Sequence, residues 1–341
     1  MNGYQRIQAA LNGEMPDQRP VMLHNFMMAV REAGYTQKQY REDPQIAAKC
    51  LIQSVEKYGL DGVLFDVDTA LTAGAVGVPV DFPDDDPART HDIFLESLED
   101  VDSLAEVDLS KNIRVQHAIE TVRILKKYFN NQVFVRGNCD QAPFSLACSM
   151  RTPANFMMDL MIDEENSIKL LNYCSGIGRQ LIRLMIQAGS DLVSNGDSPA
   201  GPAMISPEMY QVFAHPYEKE LVDEAHAQNI PYLLHICGNT DVILDQMATL
   251  GLDAVELDYL TSIEKIYGYF SQKTALFGTI DPSGILNFGT PADVKAKSME
   301  LFNLYKGNPR FVIGAGCAIP PNAPPANIHA IVSAAKATSL Y

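Results

Sequence analysis

Eight short apolar runs, separated by amphipathic stretches, govern what this chain can fold into. They are Pro20–Phe26, Gly62–Asp68, Gln132–Asn138, Asp191–Asp197, Tyr232–Cys237, Ala254–Tyr259, Thr274–Ile280 and Arg310–Gly316. Their cores lack the polar alternation of a half-exposed strand, so each reads as a strand buried on both faces, the condition of a parallel sheet. Between them Pro44–Tyr58, Ile113–Tyr128, Asn155–Ala188, Pro207–Gln228, Ala292–Tyr305 and Ala326–Thr338 read as helices. Ser206-Pro207 and Thr290-Pro291 mark helix starts, with proline in the first turn where its missing N–H is harmless. Tyr58-Gly59 and Leu250-Gly251 mark ends, glycine accepting the left-handed cap. Eightfold strand–helix alternation predicts an α/β chain, a (β/α)8 TIM barrel forming a single domain over residues 1–341. An open doubly wound sheet is the competing architecture, but the Gly-rich phosphate turn it usually carries after the first strand is missing.

With 47% hydrophobic residues in 341, the core can be large. The net charge of −16 excludes nucleic acid, which demands a basic face. No apolar run reaches roughly 18 residues, and no apolar segment follows a basic N-terminal stretch, so neither a membrane nor export is expected. Six cysteines are too sparse for a disulfide framework and point to a reducing cytoplasm, where thiolates stay free to act as ligands.

Barrel active sites collect at the carboxyl ends of the strands. The polar residues there are His24 and Asn25, Asp66 and Asp68, Asn138 and Asp140, Asn195 and Asp197, His235 and Cys237, Glu256 and Asp258, Asp281, and Cys317. Asn and Asp favour chain reversals in any case; a His, two Cys and a Glu do not follow from turn chemistry. Asn25, Asp68, Asn195, Asp197 and Asp281 are the candidate substrate-binding residues.

His235 and Cys237 stand two apart on one strand and so project to the same side. Cys317, after the last strand, can join them, with Gly314 and Gly316 letting the backbone bend inward. One imidazole and two thiolates suit Zn²⁺ with a position left for substrate, the catalytic pattern. Glu256 is a candidate fourth or exchangeable ligand, or else a hydrogen-bonding partner of the ligands. Taken alone, His-x-Cys also fits a core histidine beside two unrelated buried cysteines. Arg136 is the main strand-borne cation for an anionic substrate, or a partner in a salt bridge. Phe26, Met27 and Met28 either line the mouth, favouring an apolar methyl compound over a sulfonated thiol, or pack the barrel against its helices.

Across nearly its whole length the chain resembles the uroporphyrinogen decarboxylase superfamily. The strongest local matches are Asn195-Gly196-Asp197-Ser198-Pro199-Ala200-Gly201, Phe277-Gly278-Thr279-Ile280-Asp281-Pro282, and Gly314 through Asn327. Within it, His-x-Cys followed much later by Cys resembles the corrinoid-dependent methyltransferase branch, which includes methylcobamide:coenzyme M methyltransferases and bacterial O-demethylase relatives. The resemblance implies a catalytic zinc at His235, Cys237 and Cys317, and cobalamin carried by a separate corrinoid protein as partner. The expected reaction is methyl transfer between that cobalt and a small molecule, either an O-methyl compound such as a phenyl methyl ether or a thiol. The segment Thr72–Asp108 is large enough to form part of the docking surface. The decarboxylase proper lacks the zinc signature and needs several arginines near its first strand; here His24 to Tyr35 keeps one, Arg31, beside Glu32. Decarboxylation and a non-catalytic corrinoid-protein binding module stand as the alternatives.

Overall fold

The eight runs become eight parallel strands, β1 (Met22–Leu23), β2 (Gly62–Phe65), β3 (Phe134–Gln141), β4 (Leu192–Gly196), β5 (Tyr232–Ile236), β6 (Ala254–Leu257), β7 (Ala275–Ile280) and β8 (Phe311–Ala315), in a computed structural model. It describes residues 1–66 and 68–338; Val67 of the second run and residues 339–341 of the expected domain lie outside the described residues. Each strand pairs with the next in sequence, and a parallel bridge from Val21 to Ile313 joins first to last. This is the (β/α)8 barrel, formed as one body. At the closure, a side chain on Gly314 of β8 would collide with the carbonyl oxygen of Met22 in β1, so glycine is required by close approach.

The inside and outside of the barrel follow strand alternation. Met22, Phe134, Leu192, Leu233, Ala254, Ala275, Phe277 and Val312 form an inner cluster with Ile7, Ala10 and Leu11 of the N-terminal helix Gly3–Asn12. That helix plugs the amino end of the barrel. The intervening positions, such as Leu23, Val63, Val135, Val193, Leu234, Val255 and Ile313, face the helical shell. With the bottom filled by apolar side chains, polar groups can converge only toward the carboxyl end.

Two expected helices are each divided. Asn155–Ala188 becomes Pro153–Ile162 and Glu164–Ala188, because Asp163 turns its carboxylate onto the Asn166 N–H and caps a new helix. Pro207–Gln228 becomes Pro207–Phe213 and His215–His226, with Pro216 in the first turn of the second. The short helices Phe26–Glu32, Gln37–Glu42, Leu71–Val76 and Pro143–Arg151, and a hairpin pairing Val80–Asp81 with Arg89–Thr90, have no counterpart in the sequence reading. No helix among the described residues is long and apolar enough to cross a membrane.

Candidate metal centre and mouth cavity

Inward positions on β5 run Leu233, His235, Cys237, so the alternation that buries Leu233 in the barrel aims the imidazole and thiol at its mouth. His235 Nε2 lies 3.0 Å from Cys237 Sγ, which lies 3.3 Å from Cys317 Sγ. The three donor atoms fall within 4.8 Å of one another, and no other such group occurs among the described residues. At 3.3 Å the sulfurs are far outside the S–S bond length of about 2.05 Å, so both cysteines are free. The backbone after β8 reaches this point by passing tight against the chain after β6, where a Cβ on Gly316 would sit 2.9 Å from the Leu257 carbonyl oxygen.

The donor set fits a zinc ion. His235 Nδ1 donates to the Glu256 carbonyl oxygen at 3.0 Å, which turns Nε2 toward the cysteines, where it donates to Cys237 while protonated and can bind a cation once that proton is lost. The Cys317 thiol donating to Cys237, together with His235 beside it, draws Cys237 well below the ordinary thiol range, and the same contact pushes Cys317 up. Such a pair holds one ready thiolate and gives up a further proton when a cation takes both sulfurs.

Glu256 lies behind the imidazole, outside the ligand group. Its Oε1 is 3.3 Å from His235 Nδ1 and 3.4 Å from His24 Nδ1, and its Oε2 accepts from Arg136. Burial opposes its ionisation, but Arg136, then His24 and His235, outweigh burial and hold the carboxyl far below its usual range. Of the two roles open for Glu256, this placement, paired with Arg136 and apart from the three grouped donors, suits support of the ligands. Arg136 is taken up by the same ion pair, with its Nε donating to Ser194 Oγ at 2.9 Å.

A cavity of about 210 Å³ opens beside the three donors. His24, Phe26, Met27, Asp66, Asp68, Arg136, Asn138, Asp140, Asn195 and Ser198 share its wall with the donors and Glu256. His24 pairs with Asp66; burial opposes its charge, yet Asp66 and Glu256 raise its pKa to about 9. Asp66 also accepts from Asn138.

The candidate substrate residues fall into two groups, those on the cavity wall and those off it. Asp68 reaches the cavity wall, where it is ion-paired with Arg41 and accepts the Ala88 N–H at 2.9 Å. Asn195 touches the wall, but its side chain is spent on the Cys139 carbonyl at 2.6 Å and the Tyr232 hydroxyl at 3.0 Å. Three do not line the cavity. Asn25 turns outward and donates to Ser54 Oγ at 2.9 Å, one position out of phase with inward His24. Asp197 accepts the Ser145 N–H and hydroxyl at 2.9 and 2.6 Å, pinning helix Pro143–Arg151. Burial raises its pKa to about 6. Asp281 closes a turn by accepting the Ser283 and Gly284 N–H groups, each at 2.9 Å. Conversely His24, Asn138 and Asp140, visible in the sequence only as strand-end polar residues, and Asp66, whose region the resemblance marks as functional, all line the cavity. Counting in steps of two from inward Met22 and Phe134 places His24, Asn138 and Asp140 toward the cavity and Asn25 away from it, but the same count from Ala275 and Phe277 would bring Asp281 in, where a turn takes it off the wall.

Comparison with known proteins agrees with this architecture. A sequence model of the uroporphyrinogen decarboxylase family matches residues 3–338. The methylcobamide:CoM methyltransferase MtbA of Methanosarcina mazei is 30% identical over 242 residues, 71% of this chain and 69% of that protein. A uroporphyrinogen decarboxylase of Prochlorococcus marinus is 27% identical over 325 residues, covering 87% and 89% of the two chains. In fold, a solved methyltransferase from Methanosarcina mazei superposes with a TM-score of 0.90 at 22% identity, covering 98% of each chain. The chain therefore belongs to the uroporphyrinogen decarboxylase family, in the branch that contains the methylcobamide:coenzyme M methyltransferases.

Proposed function

We propose that the protein is a zinc-dependent methyltransferase that exchanges a methyl group between the cobalamin of a separate corrinoid protein and a small molecule. The observation that carries this reading is the convergence of His235, Cys237 and Cys317 at the barrel mouth, beside a cavity. Zinc held by these three would supply Lewis acidity to a substrate oxygen, or keep a substrate thiol as its thiolate. The rest of the work falls to the chain. Glu256 orients His235 through its carbonyl, and Arg136 keeps the Glu256 carboxylate ionised behind it. Phe26 and Met27 offer apolar surface to a methyl compound and help exclude water. The corrinoid would approach from the carboxyl end, the one end not plugged by Gly3–Asn12, where the segment 72–108 offers part of a docking surface. Free thiolate ligands suit a reducing cytoplasm.

Decarboxylation of an eight-carboxylate tetrapyrrole is a poor match. The cavity's lining cations are Arg136 and His24, and each is already paired with a carboxylate. Metal analysis tests the proposal. The purified protein is expected to carry near-stoichiometric zinc and to form methylcobalamin when mixed with cob(I)alamin on its carrier and a methyl donor. Full zinc retention in both Cys237→Ser and Cys317→Ser would overturn it. A metal-free protein that still bound its corrinoid partner would instead be a binding module.

A further inference from the structure

The charges around the cavity leave one carboxyl without a counter-ion. Asp66 has His24 and Asn138, Asp68 has Arg41, and Glu256 has Arg136. Asp140 has only Thr72, whose N–H and hydroxyl donate to Oδ2 at 2.6 and 2.5 Å. Its Oδ1 is buried with no partner, and the side chain lines the cavity while the residue is 4% exposed. The backbone places it there deliberately. The pairing of β3 with β4 shifts register between Asn138 and Gln141, and Asp140 in that bulge has φ of 60°, left-handed and uncommon outside glycine. Bulges beside active sites re-aim side chains in this way.

The charged groups facing Asp140 are Asp66 and Asp68, at the end of β2; helix Leu71–Val76 contributes the uncharged Thr72, and Asn195 of β4 meets only the Asp140 carbonyl. An ionised carboxylate here would be buried, half-satisfied and beside two like charges, which favours keeping the proton. Burial first, then Asp66 and Asp68 against the Thr72 bonds, raise its pKa to about 7.

We infer that Asp140 is a proton-holding acid of this cavity, and that the substrate is an uncharged O-methyl compound whose oxygen receives that proton as the methyl group leaves. The inference rests on the methyl-transfer reading above. In the step, the C–O bond breaks and its electron pair stays on oxygen, which takes the Asp140 proton to give a neutral alcohol or phenol. The methyl carbon takes the electron pair of a cobalt(I) corrinoid supplied by the carrier protein, and the Asp140 carboxylate regains a proton from solvent. A sulfonated thiol would find no unpaired cation in this wall, and as a methyl acceptor it must lose a proton rather than gain one. A methylammonium would demand that Asp140 ionise.

The test compares zinc-loaded wild type with Asp140→Asn, using 2-methoxyphenol and tetramethylammonium as donors to cob(I)alamin, and 2-mercaptoethanesulfonate as acceptor from methylcobalamin. Asn keeps an acceptor for Thr72 and a donor in place of the acid, but has no proton to give. The expected result is preference for 2-methoxyphenol, with kcat falling as pH rises through about 7. In the variant kcat should drop by about 100-fold or more, the size of general acid catalysis, with KM within a few-fold and the pH limb gone. Independently of turnover, the wild type should show a protonated-carboxyl infrared band that titrates near neutrality and is missing in the variant. Wild-type kcat in Asp140→Asn, preference for either charged compound, or absence of the band overturns the inference while leaving methyl transfer intact. No transfer with any of the three compounds would overturn the methyl-transfer reading itself, and this inference with it.

Discussion

Replacing Arg136 with methionine would strip Glu256 of its buried counter-ion. The two residues are 3% and 4% exposed, so water cannot take over the role of the guanidinium. Removing one partner of a buried pair costs about 3–5 kcal/mol, because the remaining charge stays desolvated. Methionine nearly conserves the aliphatic volume, so an added cavity contribution should be small. His24 and His235 remain 3.4 and 3.3 Å from Glu256 and can share its charge, which places the expectation at the lower end, about 3 kcal/mol. That is roughly a 150-fold change in the folding equilibrium. Adding Glu256→Gln removes the orphaned charge, so the double variant should regain about 2 kcal/mol over Arg136→Met alone. The chain has no tryptophan, so urea unfolding is best followed by far-ultraviolet circular dichroism, with refolding checked for reversibility. The same series separates ligand from support. Because the backbone carbonyl of residue 256 accepts from His235, Glu256→Gln should weaken zinc by no more than the roughly 10–100-fold of a supporting contact. A cost below about 1 kcal/mol for Arg136→Met, or a double variant no more stable than the single, would refute this account of the pair.

Other outcomes follow from the same geometry. Cys317→Ser and Cys237→Ala should each lose zinc affinity by roughly tenfold or more, read by competition with a chromophoric chelator; Cys237→Ala should also abolish methyl transfer while corrinoid-protein binding stays within a few-fold. Asn25→Ala should cost about 1 kcal/mol through the lost bond to Ser54, with kcat and KM unchanged, and a marked rise in KM would return Asn25 to the substrate site. The Asp140 pKa is raised from 3.8 to about 7, so the folded chain keeps a proton that the unfolded chain has released. Stability from this group is full below the unfolded pKa and is lost as pH rises through about 7. The urea midpoint of Asp140→Asn relative to wild type should therefore climb from about pH 4 to about 7 and level off above, and a flat difference across that range would contradict the raised pKa.

The strands, their order and the end of the barrel that carries the chemistry were all legible in the chain. Continuous apolar runs can satisfy their surroundings only when buried on both faces, and that condition is local and repetitive. His235 and Cys237 were legible for the same reason, since a separation of two on a strand fixes a shared side. The helix divisions at Asp163 and Ala214 were not, because single capping and proline effects are weaker than the apolar periodicity running through them. Nor was the sorting of polar strand ends. His24 and Asn25 are adjacent and equally polar, and the buried neighbours Met22 and Leu23 decide which faces the cavity. Glu256 shows the limit most clearly. Its residue type and position suit either a ligand or a support, and the choice depends on where Arg136 from β3 and His24 after β1 place their charges. Those side chains are 120 residues apart or more from Glu256 in sequence. The sequence alone determined the barrel and the shared side of His235 and Cys237, because both arise from short-range alternation; that Cys317, 80 residues on, meets them depended on closure of the barrel. Which carboxylates are paired, and that Asp140 is left without a counter-ion, was decided only by tertiary structure, because electrostatic partnership depends on distance in space across strands.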